Sequence, residues 1–338
     1  MLKPDTRQSV KDGVSPVERL HALVLEDMTA TDKLIHARMG SGVVLIPDLA
    51  RHLIDSGGKR LRPMLTLAAA SMGGYTGDRH INLAAAVEFI HTATLLHDDV
   101  VDVSTLRRGK VTANLVWGNK PSVLVGDFLF SRAFQLMVET GSLRVLDILA
   151  GASAIIAEGE VMQLKSESNL GTTEEHYLNV VGAKTAALFA AAAEAGATLC
   201  DRGPEFITAL RDYGNNLGIA FQLVDDALDY SGRQALMGKA VGDDFREAKV
   251  TLPVILAYAR ADKQAAVFWK RVIEGGPQGD ADLERAITYV EETGAISETM
   301  HRARGYADAA VAALKPLPHS DVRAALADIA DFCVERAY

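Results

Sequence analysis

The chain has 338 residues, a formal net charge of -9 and 49% hydrophobic residues. Charged residues make up 23%, near the globular average, which excludes wholesale disorder, and the length can bury a large core without covalent or metal staples. The acidic balance argues against nucleic acid as a partner and, at first sight, against an anionic substrate; the two cysteines, Cys200 and Cys333, exclude a disulfide scaffold and fit a reducing, cytoplasmic setting.

The N-terminal stretch MLKPDTRQSVKDG is polar and lacks the apolar core of a secretory signal. Ser15-Pro16-Val17-Glu18 reads as a capping box with proline at the first helical position. Leu20, Leu23, Val24 and Met28 then recur at helical spacing. Gly57 and Gly58 end the next helix, and others are predicted at about 81–103, 123–140 and 145–168. Thr172 with Glu175 reads as a second capping box, opening a helix that ends near Cys200. The alanine-rich run 185–200 within it falls short of the roughly 20 apolar residues a bilayer span needs. Pro204 opens a helix to about Tyr230. Gly275-Gly276-Pro277 is a loop, 315–319 is another, and Ser320 caps a last helix. No series of alternating strands stands out, so the predicted class is all-α. Length suggests two domains, divided near 201–204, or else one large helical bundle.

Two acidic clusters carry the chemistry. Asp98-Asp99-Val100-Val101-Asp102 and Asp225-Asp226-Ala227-Leu228-Asp229 are both DDxxD, and both follow apolar helical sequence. First and last Asp share a helix face at i and i+4. Clustered carboxylates repel one another, so a cation must hold them, and hard oxygens with room for water and phosphate suit magnesium. One such cluster could be a solvated helix end; two copies, each set among leucines and valines, are not explained that way. A basic constellation accompanies them. Gly57-Gly58-Lys59-Arg60-Leu61-Arg62-Pro63 places three cations on a glycine-led turn before a helix, a cradle for phosphate, and Arg107-Arg108-Gly109 follows the first acidic cluster. Taken singly, Lys184, Lys239 and Lys249 read as solvated lysines, while Gln222 lies near the face of the second cluster. His91 and His97 read by themselves as structural. No GxGxxG, HExxH, GxSxG or complete P-loop is present.

GGKRLRP, HDDVVDVSTLRRG, KTA, FQLVDDALDY and GDDFREAKVTLP, in this order and spacing, closely resemble the trans-isoprenyl diphosphate synthases, or polyprenyl synthetases. The likeness covers about residues 15–335 and is greatest to the bacterial long-chain enzymes of octaprenyl or decaprenyl type, which make ubiquinone side chains. It implies the isoprenoid synthase fold: one all-α domain over 1–338, a large helical bundle around a central cavity, usually a homodimer. It implies a magnesium-dependent, head-to-tail condensation of isopentenyl diphosphate with an allylic diphosphate, farnesyl or geranylgeranyl, and peripheral membrane contact to release so lipophilic a product. By motif, Asp98, Asp99 and Asp102 would bind Mg2+ on the allylic substrate, with Asp225, Asp226 and Asp229 opposite. Arg107, Lys184, Gln222, Lys239 and Lys249 would contact the allylic diphosphate, and Thr185 would sit by the cation. Lys59, Arg62, His91 and Arg108 would hold isopentenyl diphosphate. Ala248 stands where relatives often have glycine.

The resemblance also bears on product length. Short-chain relatives commonly place an aromatic ring five residues before the first acidic motif; here that residue is the small Ala93, which predicts a long product. Thr94 and Ile90 would line the same tunnel, and Phe130, Phe134 and Met137 are candidates for its floor. The rival readings are a shorter-chain geranylgeranyl or farnesyl synthase, a terpene cyclase, and a non-catalytic synthase subunit. The second DDxxD and GGKRLRP weigh against the cyclase, and retention of both acidic motifs weighs against the subunit.

Overall fold

The computed structural model describes residues 13–231, 242–279 and 281–335. In chain order the helices are α1 (Pro16–Leu23), α2 (Leu25–Arg38), α3 (Leu45–Ile54), α4 (Leu61–Gly73) and α5 (Arg79–Val101). A short hairpin follows, β1 (Leu106–Arg107) and β2 (Lys110–Val111), then α6 (Ala113–Trp117), α7 (Asn119–Glu139), α8 (Leu143–Ser166) and α9 (Glu174–Val181). A π-turn over Gly182–Ala186 leads into α10 (Ala187–Thr198) and α11 (Pro204–Asp229). The remainder is α12 (Asp243–Arg246), α13 (Leu252–Ala259), α14 (Lys263–Ile273), α15 (Asp282–Glu292), α16 (Ala295–Ala313) and α17 (Asp321–Glu335). The all-α class holds, with one departure: the hairpin, in which Leu106 pairs with Val111 and Arg107 with Lys110 in antiparallel register. Its turn residues Arg108 and Gly109 both have positive φ, 53° and 74°, the backbone a two-residue hairpin requires.

Local signals act largely as read. Ser15 Oγ accepts from Glu18 N–H while the Glu18 carboxylate accepts from Ser15 N–H, a complete capping box. Ser320 Oγ accepts from Arg323 N–H at the start of α17. The second box needs correction by one residue: Thr173, not Thr172, caps α9, accepting from His176 N–H at 3.2 Å. The predicted helix to Cys200 is interrupted by the π-turn, yet Glu174–Thr198 runs 25 residues and is long and apolar enough to cross a membrane. With 67% of its apolar window buried within the protein, it is a core helix.

The residues form two compact units, each assembled from separated segments. Among the described residues, the first comprises 13–153, 188–214 and 310–332; the second comprises 154–187, 215–231, 242–279, 281–309 and 333–335. Since 188–214 lies whole within the first, no boundary falls at 201–204. In the first unit α5 packs on α2, α4 and α7, and small residues let these helices approach closely. A Cβ on Gly126 of α7 would fall 2.2 Å from the His97 ring, and one on Gly196 would fall 2.2 Å from Thr66 O. The second unit has its own core, built around Trp269, Tyr230, Phe245 and Leu223.

Candidate active site

In the first unit, α5 ends at the first acidic cluster. Asp102 is its C-cap, Val103 turns left-handed at φ 53°, and Ser104 N–H bonds Asp99 O at 3.0 Å. This is a Schellman end with a β-branched residue where glycine is usual, a strained turn of the sort found at functional sites. Asn114 Nδ2 donates to Asp99 O at 3.0 Å and to Ser104 O at 3.3 Å, and Thr112 Oγ1 donates to Ser104 O at 2.7 Å. Neither Asn114 nor Thr112 belongs to a motif, and nothing in the sequence marks them. Asp99 is 1% exposed, and Arg107 Nε donates to its Oδ1 at 2.7 Å. Burial pushes the Asp99 carboxyl up, Arg107 pulls it down, and Asp98 and Asp102 push it up again.

The basic residues gather in the same unit. Gly57 and Gly58 have φ of 92° and 149°, and Arg60 is left-handed at 49°, so the chain turns sharply into α4. A Cβ on Gly58 would lie 2.8 Å from Arg108 Nη1, so the glycine lets that guanidinium lie against the turn. Arg62 stacks over the Phe189 ring at 4.3 Å and its Nη1 donates to His91 Nε2 at 3.2 Å. Arg62 Nε is buried and has no hydrogen-bond partner, a donor suited to an incoming oxyanion. Burial lowers the Arg62 guanidinium to about 10. Burial, and then Arg62, Arg108, Arg107 and Arg60, hold His91 well below the ordinary imidazole range, so it is neutral and accepts from Arg62. Lys59 lies 5.6 Å from the Phe332 ring centroid. His97 is structural as expected, stacked on Phe130 and packed on Gly126.

In the second unit, α11 ends at the other acidic cluster. Tyr177 O–H donates to Asp226 Oδ2 and Gln222 Nε2 donates to Asp226 Oδ1 at 2.7 Å. Thr185 Oγ1 donates in turn to Gln222 Oε1 at 2.9 Å. Burial raises Asp226 to about 7; these two bonds oppose it, while Asp225 and Asp229 add to it. The Asp229 carboxylate accepts from the N–H groups of Gly242, Asp243 and Asp244 at 3.2, 3.3 and 3.0 Å. It thereby ties α11 to the start of α12. Asp244, absent from the predicted set, also joins the cluster; burial and then Asp226 and Asp229 raise it well above the carboxylate range, and Lys249 opposes them. The GDD of GDDFREAK was the available signal. Lys249 pairs with Glu247 at 2.5 Å. Ala248 has φ 52°, a left-handed backbone that glycine adopts more readily than alanine. Lys184, on the π-turn, donates to Glu160 Oε2 at 2.7 Å. Lys239 lies outside the described residues.

Of the residues expected along a tunnel, Ala93 and Ile90 are fully buried on α5. Thr94 Oγ1 donates to His91 O within its own helix. Met137 is buried, and Phe134 is 41% exposed.

Among the described residues, no three His, Cys, Asp or Glu side chains are close enough to hold an ion unaided. The donor set still fits a divalent cation that keeps most of its waters. The clusters are hard carboxylate oxygens, and burial with like-charged neighbours raises Asp99, Asp226 and Asp244; a cation shared with substrate phosphates would relieve both effects.

Residues 43–290 match the polyprenyl synthetase family. The chain is 45% identical to octaprenyl diphosphate synthase of Escherichia coli K12, over 95% of this chain and 99% of that one. Its fold superimposes on a polyprenyl synthase from Caulobacter crescentus CB15, solved with calcium and isoprenyl diphosphate, at a TM-score of 0.93. That protein is 55% identical, over 95% of this chain and 98% of its own. A decaprenyl diphosphate synthase from Rhodobacter capsulatus gives 0.92 at 56% identity, covering 95% and 99%. The chain belongs to the polyprenyl synthetase family and has the isoprenoid synthase fold of its trans-prenyltransferases.

Proposed function

We propose that this enzyme condenses isopentenyl diphosphate head to tail with an allylic diphosphate, farnesyl or geranylgeranyl, to build a long polyprenyl diphosphate of octaprenyl or decaprenyl length for ubiquinone side chains. One observation carries the reading. Arginines gather around a buried, unpartnered Arg62 N–H in the unit that also holds the first carboxylate cluster, an arrangement that suits a diphosphate. Two kinds of anion site, one basic and one needing a bridging cation, suit two diphosphate substrates.

Asp98, Asp99, Asp102, Asp225 and Asp226 would hold Mg2+ against the allylic diphosphate, with Asp244 close to the second set. The bound ions would draw charge from the departing diphosphate. Arg107, Lys184, Gln222, Lys239 and Lys249 would bind the same diphosphate, with Thr185 beside the allylic carbon. Lys59, Arg62, His91 and Arg108 would orient isopentenyl diphosphate so that its double bond attacks that carbon. Neutral His91 would accept from Arg62 and so aim its guanidinium. The departing diphosphate would take the proton. No side-chain nucleophile is called for. The small, buried Ala93 would leave the growing chain room.

The interleaving of both units along the chain supports treating 1–338 as one functional domain. A homodimer is supported by an unpartnered apolar face on α7, where Leu124, Phe134 and Val138 are 67%, 41% and 63% exposed. Cytoplasmic residence fits two buried cysteines that are not joined in a disulfide, and peripheral membrane contact follows from the lipophilicity of the product. Incubation with Mg2+, farnesyl diphosphate and labelled isopentenyl diphosphate tests the reading. Products of about eight to ten isoprene units support it; arrest at three or four would make this a short-chain synthase.

A further inference from the structure

The basic site has an acidic support that no motif includes. Glu88 sits mid-way along α5 and is 4% exposed, in the apolar run AAAVEFIH. Glu88, His91, Leu95, Asp98 and Asp102 recur every three or four residues, so they form one stripe along one face of the helix, about 15 Å from Glu88 to Asp98. A buried carboxylate in such a run is kept only with a partner. Its partner is Arg60, whose Nη1 donates to Glu88 Oε1. Arg60 Nη2 also donates to Ile54 O at 3.1 Å, and its Nε lies 3.8 Å from Asp32 Oδ1.

Arg60 is the left-handed residue that starts α4, with φ 49°. Such a backbone is costly for an arginine and persists only if surrounding contacts enforce it. Its neighbours in sequence are Lys59 and, two residues on, Arg62. The direction in which both point therefore depends on what anchors Arg60. Glu88 also balances the cluster: it is the strongest single charge acting on both Arg62 and Arg108, and it raises their proton affinity against burial and mutual repulsion.

We propose that Glu88 is a positioning residue for isopentenyl diphosphate: through its bond to Arg60 it holds the turn that presents Lys59 and Arg62 to the diphosphate. This rests on the reading of Lys59, Arg62, His91 and Arg108 as ligands of that substrate. Glu88 touches neither substrate itself. Its effect falls on one KM and leaves the chemical step alone.

The test replaces the pair as a unit. Arg60→Met/Glu88→Leu removes both charges for apolar groups of similar volume, a change that buried ion pairs often tolerate. Expected are a melting temperature near the parent's, a KM for isopentenyl diphosphate about tenfold higher, and kcat and the allylic KM within about twofold. Glu88→Gln keeps the shape and an acceptor for Arg60, so it guards against a double variant that does not fold; its KM for isopentenyl diphosphate should rise about threefold. Unchanged KM in either folded variant overturns the proposal, as does an equal rise in both substrates' KM with a fall in kcat. Arg62→Ala separates the two levels. If it leaves the isopentenyl diphosphate KM unchanged, the site reading itself is wrong; if it raises that KM while the Glu88 variants do not, only the role of Glu88 fails.

Discussion

Replacing Gly58 by alanine should impair isopentenyl diphosphate binding without unfolding the protein. The residue has φ 149°, where an L side chain costs about 1–3 kcal/mol. The new Cβ would lie 2.8 Å from Arg108 Nη1, 2.9 Å from Nη2 and 3.0 Å from Cζ, closer than carbon contacts tolerate. Comfortable contact needs about 3.5–4.0 Å, so the guanidinium must move by roughly 1 Å. Because it is the end of a flexible side chain, the fold yields there first. Losing one well-placed charged hydrogen bond costs about 1.5–3 kcal/mol, which corresponds to a KM about ten- to a hundredfold higher. Gly57 is the internal control: it has φ 92° but nothing within 4 Å of its would-be Cβ. Gly57→Ala should therefore lower the melting temperature comparably and leave KM alone. The assay varies labelled isopentenyl diphosphate at saturating allylic substrate, alongside thermal melts of both variants. Equal KM effects in the two variants, or a Gly58→Ala KM within about twofold of the parent, would refute the reasoning.

Three further outcomes are expected. Ala93→Tyr, at a fully buried position on α5, should shorten the product while the first condensations continue; thin-layer separation of dephosphorylated products reads this, and an unchanged length would remove Ala93 from the tunnel wall. Asp98→Ala or Asp225→Ala should cut turnover by orders of magnitude with the helical circular dichroism retained, and a metal chelator should abolish parent activity; near-normal turnover in either variant would refute the carboxylate assignment. His91 is held well below the ordinary imidazole value of 6.5, so below about pH 6.5 the unfolded chain binds a proton that the folded chain refuses. Stability should then fall as the pH drops through that window, by at most about 1.4 kcal/mol per unit, and His91→Gln should flatten the slope in urea titrations; superimposable slopes would show that His91 is not held neutral.

Much of this protein is determined by sequence order alone, because its physics is local. Ser15 and Glu18 meet at i and i+3, Asp98 and Asp102 share a helix face at i and i+4, and glycines at 57 and 58 permit a turn that other residues resist. Five motifs in fixed order sufficed for the family. What only tertiary structure decided are pairings between residues far apart in the chain. Tyr177 reaches Asp226 across 49 positions, and Arg60 reaches Glu88 across 28. Asp229 turned out to cap the N–H groups at 242–244, while Asp244 took a place among the clustered carboxylates. A side chain's type and spacing state what it is able to bind, but burial and its neighbours decide what it does bind. A buried charge must find a partner wherever the fold brings one, and that choice is made in three dimensions.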